Sequence, residues 1–100
     1  MSEVQVVFWR EIPAQVKARQ GGGGRAARAL SARFQEAIDA AAMRAGLTET
    51  DDYLGEWRAS DWEERSGTPE QAADLHAAEI EAAYSDDRLR RLTEKGGKEA

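Results

Sequence analysis

Between Val4 and Ile12, apolar side chains recur at the even positions Val4, Val6 and Phe8, in a run rich in β-branched and aromatic residues. That two-residue period predicts a β-strand with one buried face. Trp9 falls with Val7 on the odd face, so both sides of the strand are expected to be covered. Beyond Pro13, Ala14, Val16 and Ala18 alternate with Gln15, Lys17 and Arg19, which predicts a second, half-buried strand with one wet face. The two strands are expected to form a hairpin turning near Ile12-Pro13, although no Asn-Gly or Asp-Gly pair marks the turn. The unbroken glycines from Gly21 to Gly24 stop the pattern and read as a flexible connection.

From Leu30 to Gly46 the period changes. Leu30, Phe34, Ala37, Ile38, Ala41 and Ala45 recur at three- and four-residue spacing, which predicts an amphipathic helix with Ser31 at its N-cap and Gly46-Leu47 at its end. Thr50 with Asp51 and Asp52 starts a short helix carrying Tyr53, Leu54 and Trp57 and fraying by Ala59, its acids favoured by the positive end of the helix dipole. Trp62 marks a short third strand at the sheet edge between Ser60 and Gly67. Thr68-Pro69-Glu70-Gln71 has the spacing of a capping box, with proline where a missing N–H does no harm. The helix it opens is expected to reach about Tyr84, burying Ala73, His76, Ala77, Ile80, Ala83 and Tyr84 and leaving Leu75 on the far side. Ser85, Asp86 and Asp87 restart a last helix bearing Leu89 and Leu92, which Gly96-Gly97 ends. Together these elements predict an α+β domain over residues 4–94. A small antiparallel sheet, the N-terminal hairpin plus a short third strand, packs against about three or four helices, with a flexible tail over 95–100. Its expected core is Val4, Val6, Phe8, Phe34, Ile38, Leu54, Trp57 and Ile80.

Size and composition narrow the chemistry. A chain of 100 residues builds one small domain, with a shallow groove and not a deep cleft as its site. Cysteine is absent, which removes disulfides, thiolate nucleophiles and zinc sites built on Cys. His76 is the only histidine, and no Ser or Asp stands at a spacing that marks it as a catalytic partner. Asp52 and Glu56 lie one helical turn apart, beside Asp51, but no oxygen-rich loop accompanies them to wrap a hard cation. The reading therefore assigns no catalytic residue, no metal and no cofactor. The apolar run Val6 to Trp9 is too short for a signal segment or a membrane span, so a cytoplasmic location and no membrane partner are expected.

Charge is what points toward function. Between positions 10 and 33, Arg10, Lys17, Arg19, Arg25, Arg28 and Arg33 face only Glu11, a net charge of +5, whereas residues 47–87 hold thirteen acids against Arg58 and Arg65, a net charge of −11. Such a chain either presents two opposed surfaces or folds so that they neutralise each other. The candidate binding residues are Trp9, Arg10, Gln15, Lys17 and Arg19 on the hairpin, with Arg25 and Arg28 after the glycines. Guanidinium and amide donors suit a carboxylate or phosphate, and Trp9 would supply a stacking surface. Glycines ahead of a helix resemble a phosphate cradle, but the Lys-Ser/Thr ending of a P-loop is missing. A non-enzymatic module that docks a protein partner through a basic hairpin face is the expectation, with an anionic small molecule as the alternative. Nucleic acid is disfavoured by the overall charge of −5.

Three stretches carry a family resemblance: Val6-Val7-Phe8-Trp9-Arg10-Glu11-Ile12-Pro13-Ala14-Gln15-Val16, then Phe34-x-x-Ala37-Ile38-Asp39-x-Ala41-Ala42-Met43-Arg44, then Asp52-Tyr53-Leu54-x-x-Trp57. Over roughly residues 4 to 92 the chain resembles the small bacterial "virulence factor" domain family. The domain also occurs within the larger conserved virulence factor C proteins, beside helical repeats, which implies an adaptor or scaffold role. Stand-alone members of the family are often encoded near enzymes of folate-linked one-carbon metabolism, which implies as the alternative a small accessory subunit that holds a folate- or pterin-like anion. The Gly21 to Gly24 run departs from the charged connection the resemblance leads one to expect. The family brings no catalytic residues to carry over.

Overall fold

Strands β1 (Ser2–Trp9) and β2 (Ile12–Arg19) form the expected antiparallel hairpin, with Val4 opposite Ala18 and Val6 opposite Val16. These four side chains are buried on one face of the sheet. In this computed structural model, which describes residues 1–47 and 49–99, the turn lies at Arg10-Glu11 and not at Ile12-Pro13. Pro13 sits inside β2 opposite Phe8, next to an irregularity in register after Val7 that absorbs the residue without a ladder N–H. Arg10 takes the left-handed conformation (φ 52°) that such a tight turn demands. Distant segments hold the turn in place of an Asn-Gly signature. The Arg10 N–H donates to the Glu56 carbonyl at 3.0 Å, and the Glu11 N–H donates to the Gly97 carbonyl at 2.9 Å.

The glycines turn out to be the bend of a second hairpin. Gly22 and Gly23 have positive φ, and the Gly23 N–H donates to the Gln20 carbonyl at 3.2 Å, which reverses the chain into β3 (Arg25–Ala29) antiparallel to β2. Arg-Ala-Ala-Arg-Ala has neither the β-branched residues nor the apolar alternation that would announce a strand. Its pairing comes from β2 and from the helix packed beneath it.

Helix α1 (Ala32–Arg44) buries Phe34, Ala37, Ile38, Ala41 and Ala42. Ser31 is its N-cap residue by position, but its hydroxyl makes no capping bond; it donates instead to Glu81. Gly46 (φ 74°) ends the helix, with the Leu47 N–H returning to the Ala42 carbonyl at 2.9 Å. The short helix α2 (Thr50–Leu54) stops before Trp57, which instead opens β4 (Trp57–Ala59), paired to β1 with Trp57 opposite Trp9. Leu54, expected in the core, is 55% exposed, because a helix this short turns it outward. Strand β5 (Glu63–Arg65) adds to β1 just after Trp62, so the sheet runs β3-β2-β1, with β4 and β5 sharing the far side of β1.

Helix α3 (Pro69–Ala83) begins with the full reciprocal capping box between Thr68 and Gln71. It lays Ala72 and Ala73 on Val4, Val16 and Ala18, and small side chains there let the helix approach the sheet closely. Its expected stripe is only half right. His76, Ala77, Ile80 and Tyr84 are half-buried, Ala83 is exposed, and Leu75 lies outward as expected. Helix α4 (Asp86–Glu94), capped by the Ser85 hydroxyl, inserts Leu89 and Leu92 among Trp9, Ile12, Phe34 and Ile38 to make a second core at the turn end of the hairpin. Of the other expected core residues, Phe8, Trp57 and Ile80 are half-buried. The segment read as a flexible tail is packed through Gly97, whose α-carbon lies where an added Cβ would stand 2.9 Å from the Trp9 ring. Ala100 lies outside the described residues.

Candidate interaction surface

Because α3 covers the face carrying Val4, Val16 and Ala18, the odd-numbered side chains of β1 up to Val7, of β2 from Gln15 onward and of β3 project the other way. The register arranges them as a grid. Glu3, Arg19 and Arg25 form one row across the strands, Gln5, Lys17 and Ala27 the next, and Val7, Gln15 and Ala29 a third. Lys17, Arg19, Arg25, Ala27 and Ala29 are exposed. Trp62 comes in from the connection between β4 and β5, and the Arg19 guanidinium lies 3.9 Å from its ring centroid. The Gln5 side-chain amide donates to the Ser60 carbonyl at 3.0 Å, which fixes its position on the grid. Gln5, Lys17, Arg19, Arg25, Ala27 and Trp62 together line an open cleft of about 420 Å³.

The two charged stretches of the sequence do meet, and much of the basic one is neutralised. Arg10 pairs with Glu56 at 3.2 Å and donates to the Gly96 carbonyl at 2.9 Å, with its side chain only 15% exposed. Arg28 pairs with Asp74 on α3, and Arg33 with Glu81 and Asp86. Arg19 pairs within the sheet, its Nε donating to Glu3 Oε1 at 3.0 Å. Among the described residues, Lys17 and Arg25 have no carboxylate within ion-pair distance.

The structure therefore brings Lys17, Arg19 and Arg25 to one face, places Gln15 in the next row, and sends Arg10 and Arg28 elsewhere. Trp9 cannot stack on a ligand. It is fully buried, donates through Nε1 to the Tyr53 carbonyl at 3.0 Å, and stacks on the Tyr53 ring at 5.7 Å. Trp62 and Gln5 are the surface members that sequence reasoning missed. Gln5 was legible as an odd-face neighbour of Lys17 once the hairpin register was given, whereas the reach of Trp62 depends on a connection with no local signature.

A smaller hollow of about 250 Å³ opens on the α3 side, between Val6, Phe8, Ile80 and Tyr84, with Glu63 and His76 at its rim. His76 Nδ1 faces Arg65 Nη1 at 2.6 Å. Burial lowers the His76 pKa below its ordinary value and Arg65 lowers it further, against the pull of Glu79 and Glu63. A neutral ring accepting from Arg65 at Nδ1 is the consistent form. The Ser60 hydroxyl beside the hollow is committed to the backbone, accepting from the Val6 N–H at 2.9 Å and donating to the Asp61 carbonyl at 3.1 Å, so it offers no activated nucleophile. Among the described residues, no group of three or more His, Cys, Asp or Glu side chains is placed to hold a metal ion, and no helix is long and apolar enough to cross a membrane.

The profile of the family described as Virulence factor matches residues 7–93. The chain belongs to that family. No curated protein and no solved structure matches it. The matched span of this Virulence factor domain runs from Val7, late in β1, to the last turn of α4, so it takes in the core at the turn end of the hairpin and every element after β1. The α+β architecture expected from the hydrophobic pattern is the one the family match covers.

Proposed function

We propose that this Virulence factor domain is a non-enzymatic interaction module of the cytoplasm that docks an acidic surface of a protein partner on the open face of its sheet. The observation that carries the reading is the pair Lys17 and Arg25, exposed on one face and without a carboxylate partner among the described residues, while the fold neutralises Arg10, Arg28 and Arg33. A cation without an internal partner keeps its attraction for a partner's carboxylates, and an exposed pair of them steers encounter. Arg19 and Trp62 add a flat, amphipathic surface beside that pair.

In-cell crosslinking followed by mass spectrometry, with wild type and the double variant Lys17→Glu/Arg25→Glu, tests this. Partners captured by a photo-crosslinker placed at the exposed Ala27 position in both proteins should fall at least about tenfold in the variant. An unchanged set of partners would remove the charge argument.

The second reading, a folate- or pterin-like anion held by a small subunit of a one-carbon enzyme, is favoured by one feature. The cleft of about 420 Å³ has the size of a small-molecule site and is lined by amide and guanidinium donors. Its stacking ring is Trp62 and not Trp9, and Arg19 already lies over that ring. Titration of tryptophan fluorescence with a folate panel decides it, and no response at millimolar ligand ends it.

A further inference from the structure

The free edge of β3 is a template for one more strand. In the β2–β3 ladder the Gln20 N–H donates to the Gly24 carbonyl at 2.9 Å, and the Leu30 N–H donates to the Ala14 carbonyl at 3.0 Å. In an antiparallel ladder, every second residue exchanges both bonds with its neighbour. Between those two fixed points the bonded positions of β3 are Ala26 and Arg28, and the N–H and C=O groups of Arg25, Ala27 and Ala29 point away from β2. Among the described residues no strand pairs with that side of β3. One of these outward acceptors is touched by the chain itself, since Arg28 Nη1 donates to the Ala27 carbonyl at 2.9 Å, and a carbonyl retains a second lone pair.

Side chains around this edge select what can pair with it. Ala27 and Ala29 put only methyl groups on the open face, so a neighbouring strand meets no bulk there. Arg25 lies within β3, and Lys17 one strand in, opposite Ala27. A second copy paired β3 to β3 would bring only Arg25, Ala27 and Ala29 to the open face and no carboxylate to Lys17 or Arg25, so an acidic segment complements this edge where another copy does not. We infer that the β3 edge binds an acidic, extended peptide segment of a partner protein by strand addition, with Arg25, Ala27 and Ala29 supplying the backbone bonds and Lys17 and Arg25 meeting its carboxylates. This rests on the docking reading for the charge of the partner and adds the mode of attachment.

The probe is a short capped peptide of alternating Glu and Val, titrated into the full chain and followed by NMR and amide hydrogen exchange. Binding should slow exchange of the Arg25, Ala27 and Ala29 amides while leaving the already paired Ala26 and Arg28 amides unchanged. Ala27→Pro removes one outward N–H at an edge position that tolerates proline, and should weaken binding at least about tenfold with the fold intact by circular dichroism. A version of the peptide N-methylated at alternate residues should fail equally against wild type, which keeps the test independent of how the proline variant folds. Full-strength binding by that methylated peptide, unchanged exchange at the three amides, or no binding of the unmodified peptide would each overturn strand addition. Binding that survives Lys17→Glu/Arg25→Glu but is lost with the methylated peptide would instead overturn the charge reading and leave strand addition standing. A wild-type dimer that Ala27→Pro dissolves would assign the edge to a second copy and overturn the acidic segment.

Discussion

Two places among the described residues bring an arginine against a tryptophan, and they have opposite fates. At the hairpin turn, the Arg10 guanidinium lies 5.4 Å from the Trp9 ring, and both are enclosed by Glu56, Tyr53 and the Gly96-Gly97 backbone. On the sheet face, Arg19 lies 3.9 Å from the Trp62 ring in an open cleft. The residue types are the same, so composition cannot say which pair is structural. What separates them is whether later parts of the chain return to that spot. The α2–β4 connection and the end of α4 converge on the turn, whereas nothing among the described residues covers the Arg19 side.

The contrast is sharpest in stability. Trp9→Ala empties a fully buried site and is expected to lower unfolding free energy by about 3–5 kcal/mol, against less than about 1 kcal/mol for Trp62→Ala, as read from urea denaturation midpoints. Equal losses at the two tryptophans would break the comparison. Gly97→Ala should come next, at about 1–3 kcal/mol, because its φ of 96° is strained for alanine and the added Cβ would press on Trp9 at 2.9 Å. A neutral result there would mean that the end of the chain does not hold the turn. By contrast, Lys17→Glu and Arg25→Glu, at exposed positions, should each change stability by no more than about 0.5 kcal/mol. A larger effect would assign those side chains to the fold and not to a surface for partners.

The smallest expected effect is a pH dependence outside both pairs. The folded-state pKa of His76 lies below the ordinary 6.5, so as pH falls the unfolded chain takes up its proton first. The His76 contribution is present above about pH 6.5 and is lost as pH drops through the folded value. The wild-type urea midpoint should therefore decline as pH falls below about 6.5, and His76→Gln should flatten that slope. Identical slopes in the two proteins would locate the dependence elsewhere.

Where local chemistry was strong, it was legible. Thr68, Pro69 and Gln71 announced the start of α3, and the spacing of Phe34, Ile38 and Ala41 announced α1. Strand β3 was hidden because its arginines and alanines have no intrinsic β preference, and only β2 and α3 make it a strand. Trp57 looked helical because it stands four residues after Tyr53; its cross-strand partner Trp9 lies far away in sequence. On the sheet face, the alternation of Lys17 and Arg19 was readable. The neutralisation of Arg10 by Glu56 and of Arg28 by Asp74 was not, since both are long-range ion pairs.

The last packed glycines touch the first turn of the chain, and this sets an order of events during synthesis. Arg10 and Glu11 receive their final partners from Gly96 and Gly97, separated from them by 86 residues. A ribosome that has delivered the first hairpin must therefore still deliver α4 before its tightest bend can close. Folding from the N-terminus onward can produce strands, but not a finished hairpin, until α4 and the two glycines after it have been made.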